Sequence, residues 1–387
     1  MDIRALVLVN KSAELLADPI PFSSLPPALL EVAGKTPLER TLERLRYFGI
    51  QAITVVSDSD SLPPASGGSG DGSSYLNSAR ERFWRAAESS FNDLVQEGAE
   101  LVVLLSLGGY AEIDFEKMVQ FHLDQNARVS QAWKDEKALQ VFCISASRRN
   151  DAASLLRSQL ARCRSECPFF VHEGYSNSLS DARDLRQLAI DILTLKTETR
   201  PSGAEVRPGV WVESRALIEK GARLVAPAFV GAFAKIRTHA VITRCSSVEH
   251  HAQVDCGTVT ENSTVLPYCR VGAGLDVAHS VIGAGTIANL RRDVTVEILD
   301  PKLIGAVLAA PGQRLLHAAL ELASYIPRQM WRGLFGKPQV QQPDLKTALK
   351  QTSPTLGGAA GYEAPACDSD AADIPSNLAA VRRYGHQ

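Results

Sequence analysis

Cysteine is scarce in this chain and never falls into a metal-binding rhythm. There are seven in 387 residues, an odd number with no Cys-x-x-Cys pair. Cys163 and Cys167 stand one helical turn apart, but no His or Cys follows at zinc-site spacing, so neither a disulfide scaffold nor a metal cluster is expected. The thiols are expected to be reduced, as in a cytoplasmic protein. An excess of charge is missing as well. Against 43 Asp and Glu stand 41 Lys and Arg, for a net charge of −2, and this excludes nucleic acid as a bulk electrostatic partner. Long apolar runs are also lacking: the longest, Leu303 to Pro311, is about half a membrane span. The opening Met1-Asp2-Ile3-Arg4, followed by Ala5 to Val9, is too short and too acidic for a signal peptide.

What is present is a strict period. Every sixth residue from Val206 reads Val206, Val212, Ile218, Leu224, Val230, Ile236, Ile242, Val248, Val254, Thr260 and Leu266. A second track four positions later is mostly small, running from Val210 and Ala216 through Ala240 to Thr264. A helix repeats near 3.6 and a strand near 2, so a period of six points to a coil of short parallel strands. The aliphatic residue points inward and the small one lets the chain turn a corner. After Leu266 the register loosens, with Val271, Val277 and Ile282 continuing it imperfectly. The residues just before the inward positions, with a few neighbours, are expected to face outward as an apolar patch: Trp211, Leu217, Val225, Phe229, Phe233, Val241, Val259 and Val265. Such a patch marks a homo-oligomer interface.

Ahead of the coil the pattern is that of a parallel α/β sheet. Strands are expected at Arg4–Val9, Gln51–Ser57, Leu101–Leu107 and Leu139–Ala146. Helices are expected at Pro37–Phe48, Ser78–Gln96, Phe115–Gln125 and Asp181–Leu195, and Asp58–Ser74 reads as a loop. Beyond the coil, 311–337 reads as an amphipathic helix that covers a coil end or a subunit. A membrane-surface role through Arg314, Arg328, Trp331 and Arg332 is the lesser reading. Residues 338–387 are polar and read as disordered. The expected division is therefore 1–200, 201–310, 311–337 and 338–387.

Four fragments carry a family resemblance. Ala5-Leu6-Val7-Leu8-Val9, then Leu30-Glu31-Val32-Ala33-Gly34-Lys35, then Leu38 to Leu45 with Gly49-Ile50, resemble the opening of sugar-1-phosphate nucleotidylyltransferases. Ile113-Asp114-Phe115 with Met118 to His122 looks like a later segment of the mannose-1-phosphate guanylyltransferases among them. The resemblance implies a Rossmann-like nucleotidyltransferase domain followed by a left-handed β-helix of hexapeptide repeats. It also implies Mg²⁺ if the chain is active, and a nucleotide sugar or sugar phosphate as ligand.

Joining a sugar phosphate to a nucleoside triphosphate accumulates charge on phosphates, so backbone donors, cations and carboxylate-held metal are needed. At the positions matching those family groups this chain differs. Its first loop, Asn10 to Leu16, lacks glycine and has Leu15 in place of the family Arg. Pro27 replaces the phosphate-binding Lys, while Gly109 and Ser178 replace the two metal-binding Asp residues. Lys11 and Lys35 remain as candidate phosphate cations, and Asp114 is expected to cap a helix. These groups act as a unit, so the chain is expected to be catalytically degenerate, with a regulatory or assembly role, alone or with an active homologue. An active nucleotidylyltransferase is the alternative. A second alternative is acyl transfer at the coil. There the stretch from Ala278 to Asp293 resembles that of bifunctional nucleotidyltransferase–acetyltransferases, with His279 and Asn289 as acceptor-side candidates. His239, His250 and His251 are expected to be surface residues.

Overall fold

The computed structural model describes residues 1–9, 27–57, 72–146, 156, 160 and 167–307. These fall within one compact unit, Met1–Pro327; a second unit, Arg328–Gln387, lies outside the described residues. The expectations for Lys11, Leu15, 311–337 and 338–387 therefore also lie outside them. The chain is a mixed α/β protein rich in parallel strands. Among the described residues no helix is long and apolar enough to cross a membrane.

The first sheet has the order β2-β1-β3-β6-β5-β7. It is built from β1 (Ile3–Val9), β2 (Ile53–Ser57), β3 (Leu101–Ser106), β5 (Val129–Lys134), β6 (Lys137–Ser145) and β7 (Phe169–Val171). β1 runs parallel to β2 and β3, and β6 is antiparallel to β3 and β5. Both faces are covered, which is why β1 and β3 read as unbroken apolar runs. Ala5, Val7 and Val103 pack with Leu38, Leu42 and Met118, from α1 (Pro37–Tyr47) and α3 (Phe115–Asp124). Leu6, Leu8 and Leu104 pack on the other face with Phe83 and Phe91 of α2 (Gly72–Gln96). A capping box starts α1: Thr36 Oγ1 accepts from Glu39 N at 3.1 Å, and Glu39 Oε2 accepts from Thr36 N at 2.7 Å.

From Val210 the chain passes in turn through three sheets. One collects β10 (Val210–Val212), β13 (Ala228–Val230), β16 (Ser246–Val248), β19 (Thr264–Val265) and β22 (Ser280–Gly283). The second collects β11 (Leu217–Ile218), β14 (Lys235–Ile236), β17 (Gln253–Val254) and β20 (Cys269–Val271). The third collects β12 (Arg223–Leu224), β15 (Val241–Thr243), β18 (Val259–Glu261) and β21 (Asp276–Ala278). All pairs within these sets are parallel, and the hexad residues stack on their counterparts: Val212 on Val230 on Val248, and Ile218 on Ile236 on Val254. The corners carry residues in the left-handed region, aligned rung over rung: Arg215, Phe233, His251 and Tyr268 at one corner, and Gly221, His239, Gly257 and Gly274 at the next.

Two sequence expectations are corrected here. Val206 is not part of the coil; it lies exposed on β9 (Ala204–Arg207), which pairs antiparallel with β10. At the other end Val265, not Leu266, stacks on Val248. The cause is a shortened corner. Thr243 still stacks on Glu261, but Ser247 stacks on Thr264, so one residue has been dropped between them. Arg244 and Cys245 both sit at positive φ where the next rung has Asn262 alone. The same corner is short again before Ile282, which stacks on Val265. Ser246, Ser263 and Ser280 line this corner, where Ser263 N donates to Ser246 Oγ at 3.2 Å and Ser280 N to Ser263 Oγ at 3.0 Å.

The coil is not an independent body. Its apolar interior is continuous with Leu30, Val32 and Ala33 and with α4 (Ala182–Leu193). Arg186 of α4 is buried and donates to Cys245 O at 2.7 Å, Asn262 Oδ1 at 2.8 Å and Thr264 Oγ1 at 3.2 Å. Burial pushes this guanidinium down to about 10. Phe229, Trp211 and Val265 are also buried, so they do not face outward as expected. Phe229 and Trp211 belong to the core shared with the N-terminal segment, and Val265 is an inward residue.

Among the described cysteines, Cys143, Cys245, Cys256 and Cys269 are thiols outside any disulfide. Cys167 is disulfide-bonded, which corrects the expectation of seven reduced thiols.

Candidate functional site

The two positions matched to metal-binding carboxylates come together. β4 (Tyr110–Ala111) pairs antiparallel with β8 (Ser176–Asn177), which sets Gly109 against Ser178. No side chain fits at 109. A Cβ there would lie 2.8 Å from Asn177 O and 3.2 Å from Ser178 O, both backbone atoms. Ser178 Oγ donates to Asp184 Oδ2 at 2.5 Å, and the same oxygen accepts from Ser180 N at 2.9 Å. This cluster tightens the start of α4, where Asp181 Oδ1 accepts from Asp184 N at 2.8 Å. Asp114 caps α3, its Oδ1 accepting from Lys117 N at 3.0 Å. Among the described residues no group of three His, Cys, Asp or Glu could hold a metal ion. The residues present at this place do not fit Mg²⁺.

The remaining candidate groups are held by neighbours. Pro27 is buried in a short 3-10 turn, Pro27–Leu29. Lys35 Nζ donates to both oxygens of Glu43, at 2.6 and 2.8 Å. His279, at a coil corner, meets Asn262 through Nδ1 at 2.7 Å. Asn289 lies opposite Ser280 in the hairpin of β22 with β23 (Thr286–Asn289). Its amide donates to Ala278 O at 3.2 Å and its Oδ1 accepts from Arg292 N at 3.0 Å. His279 and Asn289 are thus close, but the carboxamide is engaged within the hairpin. The chain continues as antiparallel β23 and β24 (Val294–Glu297), not as a further rung. His251 is stacked between Phe233 and Tyr268, with ring centroids 4.7 and 4.9 Å away, and is not a free surface residue.

The most elaborate polar site is the joint between the N-terminal segment and the coil. Ala33 and Gly34 both have positive φ, so their consecutive N–H groups converge to form an anion nest. The anion is Glu249, fully buried at the end of a coil strand. Its Oε1 accepts from Ala33 N and its Oε2 from Gly34 N, each at 3.0 Å. The carbonyls of the same turn go to Arg40, which donates to Val32 O at 2.8 Å and Ala33 O at 3.2 Å. Burial lowers the Arg40 pKa and, with Glu31 nearby, pushes Glu249 up to about 7. Glu31 is hydrogen-bonded to Nδ1 of His250, beside Glu249. A second buried carboxylate works the same way on the connection to the coil: Glu112 accepts from Glu198 N at 2.8 Å and Thr199 N at 3.0 Å.

Glu31 to Lys35 belong to the stretch that carries the family resemblance, whereas neither Glu249 nor Arg40 stands out in the sequence. The register carried no signal for Glu249, since the residue after the inward position is also acidic at Glu213, Glu219, Asp255 and Glu261; what sets Glu249 apart is the Ala33–Gly34 turn that covers it. The arrangement neutralises backbone groups and locks one segment onto another, with no open position at which a reacting atom would sit. No protein-family model and no curated protein sequence matches this chain.

Proposed function

We propose that this chain is a degenerate relative of the sugar-1-phosphate nucleotidylyltransferases. In this reading a Rossmann-like nucleotidyltransferase domain is followed by a left-handed hexapeptide β-helix, and the protein acts as an assembly or regulatory component of nucleotide-sugar metabolism. The observation that carries the reading is the fit at Gly109: the matched carboxylate position is closed by the backbone of Asn177 and Ser178. The engaged Lys35 and the Ser178–Asp184 bond support it. Phosphate cradle, cation and metal would act together, so loss of one compromises the rest.

Calorimetric titration with nucleoside triphosphates and Mg²⁺ tests the proposal, and no Mg²⁺-dependent heat is expected. Micromolar, Mg²⁺-dependent binding, or pyrophosphate release from any sugar phosphate and triphosphate pair, would sink it. Restoring the matched carboxylates as Gly109→Asp with Ser178→Asp is expected to add no Mg²⁺ affinity. It should cost about 1–3 kcal/mol by overpacking against Asn177 O. A gain of Mg²⁺ binding in that double variant would show that the pocket is intact.

A further inference from the structure

Exposed apolar side chains are not scattered over the segment ahead of the coil. Among the described residues before Ala204, six large ones are exposed: Met1, Tyr47, Leu123, Phe169, Val171 and Leu195. Four of them, Met1, Tyr47, Leu123 and Val171, line a single hollow of about 1380 Å³. One wall is α3, where Glu116, Val119, Gln120 and Leu123 recur at helical spacing and share a face. The other wall is α1, with Arg44 and Tyr47, followed by Phe48 at its C-cap. Phe48 packs edge-on against Phe115 at 5.8 Å and forms part of the floor. Glu112 N donates to Tyr175 O, which brings the turn His172–Gly174 to the N-terminal end of α3. Met1 lies at the opposite end, beside Leu123.

The charge around this hollow is one-sided. Its basic groups are spent locally: Arg44 donates to Glu112 O at 2.9 Å and pairs with Glu198 at 2.7 Å. Lys117 pairs with Asp114 at 3.3 Å, and beside the turn Lys134 donates to Gly174 O at 2.6 Å. The Glu112 carboxylate is spent as well, on the N–H groups of Glu198 and Thr199. Glu116 and Glu173 are exposed, and among the described residues no cation pairs with them. The hollow is therefore apolar at one end and anionic at the other. Anionic lipid, nucleic acid and phosphorylated ligands are repelled by such a rim. We propose that it is the docking site for a protein partner presenting a short segment with apolar side chains at one end and Lys or Arg at the other. The apolar side chains cover Tyr47 and Leu123, and the cations meet Glu116 and Glu173, which give up no existing pair. Tyr47, 85% exposed on a helix, is the anchor contact, since aromatic side chains carry much of the energy of such interfaces. The proposal deepens the assembly reading above and rests on it. Neither Gly109 nor Ser178 lines this hollow, so titration with nucleotide and titration with a peptide fail separately.

Fluorescence anisotropy of labelled peptides titrated with the full chain tests it. One short peptide carries leucines at one end and lysines at the other, and a second has glutamate in place of each lysine. The lysine peptide is expected to bind, and the glutamate peptide to bind at least about tenfold more weakly. Tyr47→Ala and, separately, Leu123→Ser should each weaken the lysine peptide by about tenfold. Glu116→Lys combined with Glu173→Lys should reverse the preference between the two peptides. Leu299→Asp, exposed outside the hollow, is the control and should change neither affinity. All these side chains reach solvent, so circular dichroism should be unchanged. Bound peptide should also slow hydrogen exchange at 115–123 and 170–174. No binding of the lysine peptide, equal binding of both peptides, or binding indifferent to Tyr47→Ala overturns the proposal. So does a concentration-dependent dimer that Tyr47→Ala dissolves, which would make a second copy the occupant.

Discussion

Gly34→Ala should be among the most damaging single methyl additions in this protein, lowering stability by roughly 3–4 kcal/mol. Its Cβ would lie 2.0 Å from Ser202 Oγ, 2.8 Å from Glu213 Oε1 and 2.8 Å from Phe229 Cζ. Ser202 follows α4 in the chain, Glu213 follows β10 and Phe229 lies in β13, so no single adjustment relieves all three contacts. The backbone adds to the cost, because φ is +84°. Gly49→Ala is the matched control. Its φ is +83°, yet nothing lies within 4 Å of the added methyl, so only the conformational part of about 1 kcal/mol is expected. Urea unfolding of both variants separates the two contributions. Ser202→Gly in the Gly34→Ala background should recover part of the loss, with the Phe229 and Glu213 contacts remaining. Equal, mild effects at 34 and 49 would mean that the segment is not seated on the coil as described.

The second large effect is a dependence on pH at Glu249. The ordinary glutamate value is 4.5, and in the folded protein burial and Glu31 push this carboxyl up to about 7. An acid shifted upwards binds more protons folded than unfolded. Its contribution to stability is therefore complete below the unfolded value and is lost as pH rises towards 7. The decline attributable to this site is about 3 kcal/mol. Other charged groups face it: Glu31, His250 and Arg40 around the turn, Glu213 beside Gly34 and Arg186 from α4. The informative quantity is accordingly the difference between wild type and Glu249→Gln. The variant does not titrate, and one amide of the nest loses an acceptor, at a cost of about 1–3 kcal/mol in mild acid. Its unfolding free energy should fall less with pH, so that the two curves cross near neutrality. Parallel curves across that window would remove Glu249 from the account.

The coil was legible because its signal is local and repeated. Val212 to Thr260 recur every six residues, and each falls where the ladder needs it. The shortened corner was not legible, since dropping one residue leaves two valid continuations, Val265 and Leu266, both apolar and both buried. Trp211 and Phe229 were assigned outward because periodicity tells one side of a strand from the other. It does not tell which outer side another segment of the chain will cover. β5 escaped notice for a different reason. Ser130 and Gln131 are buried polar residues, Ser130 bonded to His122 at 2.9 Å and Gln131 Nε2 donating to Leu139 O at 2.9 Å, so the strand shows no apolar run. At the candidate site the matched positions could be read from sequence, but the closure at Gly109 depends on a strand pair formed by residues more than sixty apart.

The corner that twice gives up a residue also shows how this architecture tolerates changes in length. Within a strand, removing one residue would exchange every later inward side chain with an outward one. At this corner the loss is absorbed by replacing two left-handed residues with one, and Ile282 still finds its stack. Drift in chain length is thereby confined to bends, and the three faces keep a common phase. The contacts made by Arg186 straddle that bend, bonding to Cys245 on the longer rung and Asn262 on the shorter one. The helix thus works as a gauge across the change of step. An insertion returning the corner to its longer form should be resisted at Arg186, while one at the opposite bend, around Gly257, should pass with little effect.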